Sequence, residues 1–176
     1  MSIRKTSRAA LLLALVIVFQ SLRLYLPIPP FVSVYLIGSL VNACLLLSVL
    51  VAGWRAALAL SVVAPVVAYL QQVLLLPVLI LPVAAANIAY VGGYLMFAGK
   101  NTILAISTAT TAKFLIIYLM VTSLIHYIGI TGTTATALTL LLGWPQLITG
   151  FAGGAVFLSV SKRLFKLRGG HQQNDK

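Results

Sequence analysis

Residues 56–98 run without a single charged side chain, and Pro77 and Pro82 mark the only break in a stretch dominated by Leu, Val, Ala and Ile. Lipid, not water, is the solvent for such a segment, and there the backbone must satisfy its own polar groups, which a helix does. Charge is scarce throughout: the 176 residues are 61% hydrophobic and 7% charged, with a mean hydropathy of +1.11. A soluble domain carries roughly 25% charged residues. An all-α, polytopic membrane protein is the expected class. A spanning helix needs about 20 mostly apolar residues, and cutting at Pro, Gly and charge yields six pieces, near 8–26, 32–53, 56–76, 79–98, 102–127 and 137–161. The third and fourth are the least sharply divided. Residues 1–165 are expected to form one membrane domain and 166–176 a polar, disordered tail.

The basic residues orient the chain, because Lys and Arg are disfavoured in translocated loops. Arg4, Lys5 and Arg8 precede the first span, Arg55 and Lys100 sit in the second and fourth connections, and Lys162, Arg163, Lys166 and Arg168 close the sixth. The other connections, near 27–31, near 77 and the Gly- and Thr-rich 128–136, have none. Both termini are therefore expected on the cytoplasmic side of the cell membrane. The first span resembles a secretory signal in length, but Arg23, Pro27, Pro29 and Pro30 follow it where an A-x-A site would stand, so it is read as a retained helix. The net charge of +11 does not indicate nucleic acid, since the basic residues sit at span ends and not among aromatic residues on a soluble face.

Arg23 and Lys113 depart from this distribution, and the one acidic residue, Asp175, lies in the tail, so neither has a carboxylate partner within the spans. Arg23 is near the outer interface, where snorkelling is open to it. Lys113 is about 16 Å along the fifth span, close to the bilayer midplane, where a cation costs at least about 2.5–3.5 kcal/mol and usually faces a cavity or substrate path. Depth counting puts Gln20, Gln71, Gln72, Asn87, Tyr90, Trp144 and Gln146 in the outer halves of their spans. Each alone is explained as well by ordinary interhelical bonding; their shared depth points to a pocket open to the outside. Two cations without an acid favour an anionic or zwitterionic small-molecule ligand, with Trp144, Tyr90 and Tyr94 available to stack a ring. Interface anchoring is the plainer role for such aromatics.

No enzyme is expected. His126 and His171 have no nucleophile or carboxylate to join them, and Cys44 is alone in an apolar span, so neither a metal site nor a disulfide is spaced out. GGYLMFAGKN departs from a phosphate loop in its glycine spacing and carries Asn101 where a metal-binding Ser or Thr belongs. No cofactor is implied. Small residues mark helix contacts: Gly150 and Gly154 in GFAGG, and Ala10 and Ala14 near the start of the first span.

With these features assembled, the chain resembles the substrate-binding S component of an energy-coupling factor (ECF) transporter. The likeness covers nearly the whole membrane part: six spans, a basic N-terminus followed by RAALLLAL, the IPP stretch, and WPQLITGFAGG ending in basic residues. It is a likeness of architecture, with one short motif, Ala10 and Ala14, matching the family's contact with the transmembrane T component. The resemblance implies capture of a vitamin-like micronutrient in the outer half, by the last three spans with the loops after the first and third. It further implies partnership with a T component and two ATP-hydrolysing subunits that topple the loaded chain to release its ligand inside. The rival from another class is a non-transporting six-helix scaffold of the rod-shape-determining MreD type; a secondary-transporter subunit is disfavoured by the missing acids.

Overall fold

A computed structural model describes residues 3–25, 29–74 and 76–171. Among them every regular element is helical: α1 (Ile3–Tyr25), α2 (Pro30–Val51), α3 (Trp54–Leu70), a 3-10 turn (Pro77–Leu79), α4 (Ile80–Phe97), α5 (Thr102–Ile128), α6 (Gly132–Leu142) and α7 (Pro145–His171). Five segments are long and apolar enough to cross a membrane; α3 is apolar but has 17 residues, about 25 Å of rise. The chain is an all-α polytopic membrane protein. Large apolar side chains such as Leu11, Val18, Leu70, Met96, Leu119 and Phe151 stand exposed around the bundle, as a lipid-facing surface requires and a water-facing one would not tolerate.

Local chemistry explains most boundaries. Gly53 (φ 100°) turns α2 directly into α3, a left-handed conformation that costs a residue with a Cβ. The Asn101 side chain caps α5 by accepting from the backbone N–H groups of Ile103 (3.0 Å) and Leu104 (3.1 Å). Two boundaries differ from the sequence reading. The third span stops at Leu70, not 76, because the backbone turns at Gln71 and Gln72, the latter at φ 57°. The sixth is not one helix over 137–161: α6 begins at Gly132, breaks at Gly143 and Trp144, and α7 restarts at Pro145. Pro145 lacks the N–H that a continuing helix would donate. Residues 26–28 of the Pro-rich connection and 172–176 of the expected disordered tail lie outside the described residues, while α7 continues through the first part of that tail, to His171.

Packing relies on close backbone approach. A Cβ on Gly93 would lie 2.9 Å from Ala109 Cα, and one on Gly153 would lie 2.6 Å from Asn42 Cβ and 2.7 Å from the Ser39 carbonyl oxygen. These are the α4/α5 and α2/α7 seams. Without a hydrophobic drive between helices in lipid, tight van der Waals contact through small residues is what holds such seams. Gly150 and Gly154 both press on α5, at Thr110 and Ile106, so the GxxxG works inside the bundle. The core between the seams contains Val16, Leu45, Leu46, Leu60, Tyr90 and Val91.

The helix ends sort by charge. Arg8 Nη1 donates to the Val51 carbonyl, 3.3 Å, joining the start of α1 to the end of α2, and Arg55 opens α3 one short turn later. The last turns of α7, with exposed Lys162, Arg163 and Lys166, reach the same end, where Leu164 and Phe165 share a groove with Arg8. At the opposite end Gln71 Nε2 donates to Ser21 Oγ, 2.9 Å, joining α3 to α1.

Candidate functional site

Five helices converge on Lys113. The residue is on α5, 5% exposed, and its Nζ donates to Asn42 Oδ1 on α2 (2.5 Å) and Asn87 Oδ1 on α4 (2.9 Å). The Tyr90 ring, one turn after Asn87, lies 5.4 Å from Nζ, within cation–π range. Each amide then passes a bond outward. Asn87 Nδ2 donates to the Ser61 carbonyl on α3 at 3.4 Å, and Asn42 Nδ2 to Thr149 Oγ1 on α7, also at 3.4 Å. Tyr90 OH donates to the Gly150 carbonyl, 2.9 Å. The network thus ties α2, α3, α4, α5 and α7 around one nitrogen.

This geometry follows from helical periodicity. Asn87 and Tyr90 are three apart, as are Thr110 and Lys113, so each pair shares a face. The Gly150–Thr110 contact brings α7 close enough for Tyr90 to reach the Gly150 carbonyl. An ammonium has three donors and a carboxamide oxygen two lone pairs. Two amide oxygens and a ring face therefore hold the Lys113 nitrogen without any carboxylate. Thr110 Oγ1, buried beside this network, has no hydrogen-bond partner among the described residues.

Gln20 and Gln71 form a separate patch at the α1/α3 contact. Gln20 is buried and its Nε2 donates to the Ala64 carbonyl, 3.1 Å, while Gln71 bonds Ser21. The Oε1 atoms of both are buried without a partner among the described residues. Arg23 is half-buried at the end of α1. Gln72 is exposed, and Trp144 is 60% exposed at the α6/α7 break, which suits an interface anchor better than a stacking platform. Gln146 is half-buried and its backbone carbonyl accepts from Thr149 Oγ1 at 3.4 Å. Tyr94 is buried in the apolar core, edge-on to Phe157 with ring centroids 5.4 Å apart. Of the nine ligand candidates, Asn87, Tyr90 and Lys113 come together; Gln20 and Gln71 gather elsewhere.

Asn42, Ser61 and Thr149 escaped the sequence reading, and only Asn42 left a signal there: a lone amide in the apolar run SLVNACLLL. Ala10 and Ala14 are exposed on α1, turned away from the buried Leu12 and Val16. A concave surface of about 690 Å³ lies at the basic end between α1, α2 and α7, and a smaller one of about 160 Å³ between α5 and α7; Lys113 lines neither. No group of three or more His, Cys, Asp or Glu is spaced for a metal among the described residues. The site gathers an ammonium, two carboxamides and a hydroxyl as hydrogen-bonding groups, and its described residues include no nucleophile–base pair. No protein-family model, curated protein or solved structure matches the chain.

Proposed function

We propose that this chain is the substrate-binding membrane subunit of an importer of the energy-coupling factor type. In this reading it lies in the bacterial plasma membrane with both termini inside and captures a small vitamin-like carboxylate or zwitterion from outside. The observation that carries the reading is Lys113, a basic side chain deep in a bundle whose spans contain no acid, held by neutral groups alone. A ligand carboxylate reaching Nζ would replace one amide oxygen with a charged acceptor, in a bond roughly twice as strong as a neutral one. The displaced Asn amide and the unpaired Thr110 hydroxyl would then serve the ligand's remaining polar atoms. Energy would come from a T component and two ATPase subunits, with Ala10 and Ala14 as the strip on which the T component docks.

One observation favours a second reading, the non-transporting scaffold. The Asn42 and Asn87 amides that hold Lys113 are paired within the chain at both oxygen and nitrogen, as packing glue would be. The two readings separate in one preparation. Native mass spectrometry of protein purified from its own membranes should show a retained acidic or zwitterionic small molecule, absent from the Lys113→Met protein. ATP-hydrolysing subunits should co-purify, and be lost from an Ala10→Trp, Ala14→Trp chain. Retention of lipid alone, with no ATPase partner, would overturn the importer and leave the scaffold.

A further inference from the structure

The concave surface between α1, α2 and α7 has the wrong chemistry for a polar micronutrient and the right chemistry for a lipid. It is walled by Leu11, Leu12 and Leu15 of α1, Leu47 and Leu50 of α2, and Val160, Leu164 and Phe165 of α7. At about 690 Å³ it falls within the roughly 300–1,000 Å³ of small-molecule sites. Its one charged wall residue is Arg8, and the exposed Lys162, Arg163 and Lys166 flank it on α7. Arg8 spends one donor on the Val51 carbonyl, which fixes the guanidinium on the groove wall and leaves its other four N–H donors for a ligand.

We infer that this groove holds one acyl chain of an anionic phospholipid whose headgroup phosphate is bonded by Arg8. Three features select that occupant. The groove runs along membrane-spanning helices, so hydrocarbon fills it without exposing apolar wall to water. It lies at the helix ends where the basic residues gather, which the preference of Lys and Arg for the cytoplasmic side sets against the leaflet that carries the anionic lipids. Guanidinium and phosphate form a forked, charge-assisted pair, and the chain has no described acid to compete for Arg8. The site lies on a different part of α1 from exposed Ala10 and Ala14, and it stands whether or not the chain is an importer.

The test uses delipidated protein in detergent, titrated with phosphatidylglycerol, with phosphatidylcholine of the same acyl chains, and with glycerol phosphate as the headgroup alone, each read by native mass spectrometry. One phosphatidylglycerol should bind, at least fivefold more tightly than phosphatidylcholine, as expected for roughly one basic residue near a charged lipid. Arg8→Gln should remove most of that preference. Leu15→Trp, which fills the groove, should weaken both lipids. Arg23→Gln, at the opposite end, should change neither, and the melting temperature of each variant shows that the bundle is intact. Equal binding of the two lipids, an unchanged preference in Arg8→Gln, or glycerol phosphate binding as tightly as intact lipid would each overturn the inference. So would a second polypeptide retained in place of lipid and released by Leu15→Trp.

Discussion

Asn42 and Lys113 should be strongly coupled in stability, because the Nζ–Oδ1 bond at 2.5 Å ties α2 to α5 through a buried nitrogen. Replacing Asn42 with Ala keeps the Cβ against which Gly153 packs and removes only the amide. The loss is one hydrogen bond to a charged group, about 1.5–3 kcal/mol, plus a weaker bond to Thr149. Lys113→Met keeps the unbranched stem and leaves two amide oxygens unpaired, at about 1–3 kcal/mol each. It also removes the cost of holding a cation at that depth, at least about 2.5–3.5 kcal/mol. These opposing terms nearly cancel, so the single Lys variant is a poor probe, whereas the double-mutant cycle isolates the pair. We expect a coupling of about 1.5–3 kcal/mol, against an average near 0.6 for ordinary hydrogen bonds between membrane helices. The assay is SDS-driven unfolding in mixed micelles, followed by helical circular dichroism, for wild type, both singles and the double. A coupling below about 0.5 kcal/mol, the range where unrelated sites simply add, would refute the claim that Asn42 accepts from Lys113.

Two further outcomes follow from the geometry. Gly93→Ala should destabilise by about 1–3 kcal/mol, since its Cβ would meet Ala109 and the Thr108 carbonyl at 2.9 Å, whereas Gly92→Ala meets nothing within 4 Å and should gain up to about 1 kcal/mol of helix propensity. The same unfolding assay reads both, and equal effects would contradict the α4/α5 seam. For orientation, Thr134→Cys should react with an impermeant maleimide in intact cells and Lys100→Cys only after permeabilisation. The buried Cys44 keeps the background silent, and the reverse pattern would invert the topology.

The all-α, polytopic class was legible because a membrane imposes one-dimensional rules. Length against bilayer thickness and the placement of Lys and Arg can both be counted along a chain. Lys113 could be singled out in the same way, from its depth. Its partners could not, because Asn42, Asn87 and Thr149 stand on three different helices and nothing local says which faces will meet. The grouping of all outer polar residues into one pocket was too simple for the same reason. Depth is a single coordinate, and rotation about each helix axis separates the Gln20–Gln71 patch from the Lys113 network.

By itself the sequence determined that this protein crosses the membrane several times as helices, with its basic residues gathered at one end and basic side chains lacking carboxylate partners. Composition and periodicity carry that information because lipid accepts only self-satisfied backbone. Tertiary structure alone decided that Lys113 is held by two amides and a ring, that the sixth span breaks at Gly143 and Trp144, and that Arg8 lines an apolar groove. Those outcomes depend on helix rotation and backbone approach at seams such as Gly93 with Ala109 and Gly153 with Asn42, where small residues let the helices come close enough for distant polar groups to find one another.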